Sequence, residues 1–243
     1  MESDNNAIVV RDLVKKFGSF VANNRLTFEV KKGEIFGFLG ANGAGKTTAI
    51  RMLVGLSSPS SGEVIVAGYN VARHPEKVKK HIGYMCQKFS LYEDLTAEEN
   101  IRLYGGIYGL SKKEILQKSE ELFSRLHFNK YRKKLIADLP LGMRQKLAFS
   151  VAVFHNPEIV FLDEPTGGVD PITRRQFWEM IYETASKGIT VFVTTHYMDE
   201  AEYCDRISIM DEGKIVALDS PANLKKRYKT KSVEELFVKI ARP

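Results

Sequence analysis

Apolar positions come as short β-branched or aromatic runs in the first and last thirds of the chain and at helical spacing between them. Residues 8–10, 26–30 and 64–67 are β-prone runs punctuated by Gly18, Gly33, Gly62 and Gly68, the pattern of strands joined by turns. Embedded among them is 35–39, apolar and followed at once by glycine, alanine and asparagine; a helix is expected next, over 46–55. From about Tyr92 to Pro157 the pattern becomes helical. Thr96 with Glu99 and Ser111 with Glu114 each match a capping box, in which a side-chain oxygen and a returning carboxylate satisfy free amides at a helix start. Pro140 suits the opening of a further helix, because the N–H it lacks would be unpaired there. Beyond it, 159–162 reads as a buried strand ending in two acids, 174–186 has helical spacing, and 190–194 is β-branched. Residues 199–204 read as a short helix, and 206–210 with 214–218 flank Asp211-Glu212-Gly213 as a hairpin.

Strands that alternate with helices predict an α/β fold with a parallel sheet covered on both faces. The expected division is a core with a β subdomain, residues 1–91 and 158–243, and a helical subdomain inserted at 92–157.

Composition narrows the class. With 243 residues, 44% apolar and 27% charged, the chain can bury a core and is neither disordered nor fibrous. A net charge of +6 is modest; it suits an anionic ligand or an anionic membrane surface, but a dispersed excess of lysine is usually a solvated face. No nucleic-acid partner is expected. Two cysteines, Cys86 and Cys204, are too few for a disulfide scaffold, which points to a reducing compartment. The N-terminal residues lack the basic and apolar regions of a signal peptide, and no apolar run reaches the roughly 20 residues a spanning helix needs. If the protein serves a membrane, another chain is expected to supply the spans.

Gly40-Ala41-Asn42-Gly43-Ala44-Gly45-Lys46-Thr47 matches the phosphate-binding loop pattern, placed between a strand and a helix as the motif requires. Glycines let backbone amides turn inward around phosphate oxygens, Lys46 reaches the outer phosphates, and Thr47 offers a hydroxyl to magnesium. The following helix directs its positive end at the same anion, with Thr48 in its first turn. Asp163 and Glu164 end the strand 159–162, where a doubly wound sheet gathers its ligands. Alone, such a pair more often starts a helix. Beside a phosphate loop, Asp163 suits a magnesium ligand acting through water, and Glu164 suits the group that polarises an attacking water.

The phosphate loop, Gln87, Leu139-Pro140-Leu141-Gly142-Met143-Arg144-Gln145, the acidic pair, Gly167-Gly168-Val169-Asp170 and His196 stand in the order seen in ATP-binding cassette proteins. The chain resembles that family from about Ile8 to Leu224, and looks like the cassettes of type-2 exporters of drugs, lipids or polysaccharides. The resemblance implies a P-loop NTPase core with an N-terminal antiparallel β subdomain and an inserted helical subdomain. It implies ATP and Mg2+ as ligands, and catalysis by Lys46, Glu164 and His196, with His196 on the γ-phosphate. It places Gln87 against magnesium and the membrane subunit, and Asp170 between the two nucleotide sites of a dimer. Phe17 sits where the family stacks a ring on adenine; a core phenylalanine explains it equally well.

One departure stands out. The family signature Leu-Ser-Gly-Gly-Gln is here Leu139-Pro140-Leu141-Gly142-Met143, so only Gly142 remains of the groups that face the opposite subunit's γ-phosphate. A slow ATPase is expected unless the Gly142 amide and the helix end compensate. The implied assembly is a homodimer closed by ATP on an integral membrane permease subunit, peripheral on the cytoplasmic, inner face of the cell membrane. A ribosome- or DNA-acting cassette would normally carry two cassettes or a long coiled-coil insert, and a GTPase would need an aspartate where Asn129-Lys130-Tyr131-Arg132 has arginine.

Overall fold

The computed structural model describes residues 5–87 and 91–241. The chain opens with β1 (Asn6–Phe17), β2 (Phe20–Lys31), β3 (Ile35–Gly40), α1 (Lys46–Leu53), β4 (Ser61–Val66), β5 (Tyr69–Asn70), α2 (Pro75–His81) and β6 (Ile82–Met85). Three helices follow: α3 (Ala97–Ile107), α4 (Lys112–Arg125) and α5 (Leu141–Ala152). The last third is β7 (Ile159–Asp163), α6 (Pro171–Ser186), β8 (Thr190–Thr195), β9 (Arg206–Asp211), β10 (Lys214–Asp219), α7 (Pro221–Tyr228) and α8 (Val233–Ala241).

These strands make two sheets. One is antiparallel, in the order β2-β1-β4-β5; the other runs β10-β9-β3-β8-β7-β6, parallel except for the β9–β10 edge hairpin. The central strands explain why 35–39, 159–162 and 190–194 are apolar without interruption. Ile35, Leu39, Val160, Leu162, Val191 and Val193 enter the core shared with α5 and α6, while Phe36, Phe38, Ile159, Phe161 and Phe192 enter the core shared with α1 and the antiparallel sheet. Both faces of each strand are buried, so period-2 alternation sorts residues between two cores instead of between core and water. Four rings, Phe28, Phe36, Phe38 and Phe192, meet with centroids 5.2–6.2 Å apart and clamp the two sheets together.

The expected α/β architecture is the one observed, and both capping boxes form. Thr96 and Ser111 accept from the amides of Glu99 and Glu114, whose carboxylates return to the cap amides. Several elements differ in detail from the sequence-based expectation. β1 and β2 are 12 residues each, because their exposed polar halves pair through bulges that an apolar pattern does not register. Pro140 is the N-cap of α5, not its first helical residue, and the expected helix at 199–204 is a 3₁₀ turn, Glu200–Tyr203. Among the described residues, no helix is long and apolar enough to cross a membrane.

Candidate functional site

The glycine loop connects β3 to α1 and is wedged between β2 and β9. Gly45, at the N-cap of α1, has φ +100°, and a Cβ there would lie 2.4 Å from the Ala22 carbonyl oxygen. A Cβ on Gly40 would lie 2.6 Å from the Met210 carbonyl oxygen. Neither position tolerates a side chain. Asn23 Nδ2 donates to the Gly45 carbonyl at 3.1 Å, so a buried residue of the neighbouring sheet holds the turn. Lys46 is buried, and its Nζ donates to the carbonyls of Gly40 (2.8 Å) and Ala41 (3.1 Å). Burial pulls its pKa down, and the carboxylate of Glu164, 3.6 Å away, opposes that pull.

Asp163 and Glu164 leave the C-terminal end of β7 beside Thr194, because parallel pairing sets Asp163 opposite Thr194. The Thr194 hydroxyl donates to Asp163 Oδ1 at 2.7 Å, while Asp163 Oδ2 is buried without a hydrogen-bond partner. Burial pushes the Asp163 carboxyl above its ordinary pKa, with the Thr194 hydroxyl pulling the other way and the charge of Glu164 adding to the rise. Glu164 has φ +50°, the left-handed region that residues with a Cβ rarely occupy. Its N–H donates to both the Thr194 carbonyl (3.1 Å) and hydroxyl (3.0 Å). That turn aims the carboxylate at three other segments. Gln87 Nε2 donates to Oε2 at 3.0 Å, His196 Nδ1 lies 3.2 Å from the same oxygen, and Lys46 approaches Oε1.

The resulting cleft has a volume of about 300 Å³. Asn42, Gly43, Gly45, Lys46, Thr47, Thr48, Gln87 and Glu164 line it, together with Phe20 and Ala22 of β2. The residues from Gly40 to Thr48, with Gln87, Asp163, Glu164 and His196, are therefore brought together as the sequence suggests.

Phe17, Gly142 and Asp170 lie apart from them. Phe17 ends β1, 57% exposed, with the Lys15 ammonium 5.1 Å from its ring centroid, so the core alternative for this residue falls away. Gly142 sits in the first turn of α5, where a Cβ would come 2.6 Å from Thr173 Cγ2. Asp170 caps α6: Oδ1 accepts from the amides of Ile172 and Thr173, and Oδ2 from the Thr173 hydroxyl at 2.6 Å. Those bonds, the Thr173 hydroxyl first, hold its carboxyl below the usual range. Within one chain, then, Gly142 and Asp170 have complete structural roles. The α5 helix still touches the site: Gln145 Nε2 donates to the Gly167 carbonyl at 3.0 Å, and Leu141 and Gln145 share a cavity of about 120 Å³ with Gln87 and Glu164.

Sequence reasoning misses Thr194, which positions both acids, and Asn23, which fixes the loop. Each is an ordinary polar residue in a strand, and only the cross-strand register gives it a role.

A family model described as ABC transporter matches residues 23–167. The chain is 47% identical over 218 residues to a probable multidrug ABC transporter ATP-binding protein of Escherichia coli (strain K12), covering 90% of this chain and 38% of that relative. The chain thus spans well under half the length of that protein. A solved structure described as the ATP binding subunit of an ABC transporter superposes with a TM-score of 0.88 at 30% identity, over 97% of this chain and 100% of that one. The dimeric structure of a bacterial ABC transporter cassette matches with a TM-score of 0.79 at 25% identity, over 88% of this chain and 98% of that one.

Proposed function

The chain belongs to the ABC transporter family, and from that membership and the site geometry we propose that it binds and hydrolyses Mg-ATP to drive a membrane exporter. The observation that carries this reading is the convergence on Glu164 of Lys46, Gln87 and His196, from three separate segments, at the mouth of a phosphate loop. A carboxylate held in a strained turn, beside a buried lysine and an α-helix N-terminus, suits the transfer of a phosphoryl group to water.

ATP places its phosphates on the amides of 41–48, and Lys46 leaves the Gly40 and Ala41 carbonyls for the outer phosphate oxygens. Glu164 accepts a proton from a water whose oxygen attacks the γ-phosphorus. The bond from that phosphorus to the β–γ bridging oxygen breaks, and ADP and phosphate remain. His196 donates a hydrogen bond to the γ-phosphate, and Lys46 neutralises the charge that builds on it. The donor set fits magnesium. Asp163 Oδ2 is a buried, unpartnered carboxylate oxygen, and Thr47 and Gln87 add oxygen donors nearby. Mg2+ is bound by few protein oxygens plus the substrate phosphates, and among the described residues no group of three or more His, Cys, Asp or Glu competes for it. Bound there, the ion supplies charge neutralisation of the phosphates.

Two copies close head to tail on ATP, with Gly142 and Asp170 of each facing the other's site; the dimeric state of the bacterial cassette relative supports a two-copy assembly. Residues 92–157, which carry α3, α4 and α5, act as the helical arm that brings the Pro140–Gly142 stretch to the partner. A separate integral membrane permease subunit receives the motion at Gln87 and α3, with this chain peripheral on the inner face of the membrane. Export of a drug-like substrate follows the multidrug name of the Escherichia coli relative.

The nucleotide site is tested by titrating a fluorescent ATP analogue into wild type and Lys46→Ala, with circular dichroism as the fold control. The variant is expected to keep its fold and lose at least about tenfold in affinity, since it removes a charge-assisted contact of roughly 1.5–3 kcal/mol. Unchanged affinity in a folded variant contradicts the assignment.

A further inference from the structure

We propose that Phe20 is a principal ring of the nucleobase platform, stacking with Phe17 against the purine of the nucleotide whose phosphates fill the glycine loop. The proposal rests on the nucleotide-site reading above and adds a binding residue to it. Phe17 and Phe20 are cross-strand partners on either side of the Gly18-Ser19 turn. Directly opposed residues of an antiparallel pair project to the same face of the sheet, so the two rings share one face of the hairpin. Ala22, the extra residue of the bulge that follows, lines the cleft together with Phe20. The hairpin therefore presents its apolar face to the phosphate loop.

The cleft lining combines two chemistries: Phe20 and Ala22 of β2 are apolar, whereas Lys46, Thr47, Gln87 and Glu164 are polar or charged. A nucleoside triphosphate combines the same two, a flat apolar base joined to a polyanion. Phe20 is 64% exposed, more than Phe17 at 57%, and both rings leave a large apolar surface in water for a flat ligand to cover. Phe17 has already committed part of its ring. The Lys15 ammonium sits over it and is anchored by a 2.6 Å bond to the Ser58 carbonyl, so that cation occupies one face. Phe20 lines the cleft itself and Phe17 does not, which makes Phe20 the ring best placed for contact. Phenylalanine carries no hydrogen-bonding group, so the contact is stacking without readout of the base edge.

The experiment is calorimetric titration of wild type, Phe20→Ala and Phe20→Trp with two probes, Mg-ATP and inorganic tripolyphosphate with Mg2+, which has the charge and no base. Removing a stacked ring is expected to weaken ATP binding by about 5- to 150-fold. Tripolyphosphate binding is expected to stay at the wild-type value, and Phe20→Trp is expected to restore ATP affinity. Unchanged ATP affinity in Phe20→Ala overturns the proposal, as does an equal loss for both probes, which makes Phe20 a support for the loop and not a platform. A wild-type protein that binds neither probe overturns the underlying nucleotide-site reading.

Discussion

Glu164 occupies a left-handed backbone conformation that costs on the order of 1–3 kcal/mol for a residue with a Cβ, and its neighbours sustain it. Its amide is bonded twice to Thr194, and its carbonyl accepts from the Gly167 amide at 3.2 Å. The two adjacent acids meet different partners, Asp163 the Thr194 hydroxyl and Glu164 the side chains of Lys46, Gln87 and His196, so they take different tasks. Neither the strain nor the role of Thr194 can be read along the chain, since both depend on which strand lies beside β7. The phosphate loop is the opposite case: Gly40, Gly43, Gly45 and Lys46 declare themselves because the chemistry admits so few alternatives. Phe17 and Phe20 fall between these cases, because a sequence pattern names one ring while the hairpin register brings both to one face. A residue outside the site carries a pH signature. His155 stacks on Tyr108 with centroids 3.6 Å apart, and its Nε2 lies 3.1 Å from the Ile82 carbonyl. Burial lowers its pKa from 6.5 to about 4. Between those values the unfolded chain binds a proton that the folded chain refuses. This contribution to stability is therefore complete above pH 6.5 and is lost as the pH falls toward about 4. Thermal unfolding followed from pH 7 to 4 is expected to show a shallower decline for His155→Phe than for wild type. Parallel curves contradict the assignment.

At the scale of elements, helix starts are the most legible feature, because capping boxes are local chemistry. The α2 helix and β6 are the least legible. α2 is seven residues with one buried side chain, Val78, too little apolar pattern to register, and β6 is a four-residue edge strand that follows it without a turn. β6 nevertheless delivers Gln87 to Glu164. The contact between α5 and α6 gives Gly142 a meaning that a family motif does not supply. The glycine allows α5 to approach Thr173, whose hydroxyl is fixed by the Asp170 cap of α6. A methyl at Gly142 would force these helices apart, so Gly142→Ala is expected to destabilise the isolated chain by about 1–3 kcal/mol. Thr173→Ser removes the offending Cγ2 and keeps the capping hydroxyl, so the double variant is expected to recover much of the loss in a urea titration. Additive losses in the double variant contradict this packing account.

Over the whole molecule, one parallel sheet separates two cores, and the site forms along the carboxyl ends of β3, β7 and β8, where the strands meet the glycine loop. This layout was legible from the alternation of elements and from motif order. What was not legible was how much each signature residue already does inside a single chain: Asp170 caps, Gly142 makes room, and Gln145 ties α5 to Gly167. Any action of Asp170 and Gly142 across a dimer is added to those duties, so substitutions there affect folding and closure together. Glu164 is cleaner, because its carboxylate meets Lys46, Gln87 and His196, all of them residues of the site. The central claim is that this carboxylate drives ATP hydrolysis. Its most direct test is phosphate release by wild type and Glu164→Gln at saturating Mg-ATP, with ATP affinity measured on the same samples. The account predicts that the glutamine variant binds ATP as tightly as wild type and turns it over at least about 100-fold more slowly. Wild-type turnover in that variant would contradict it.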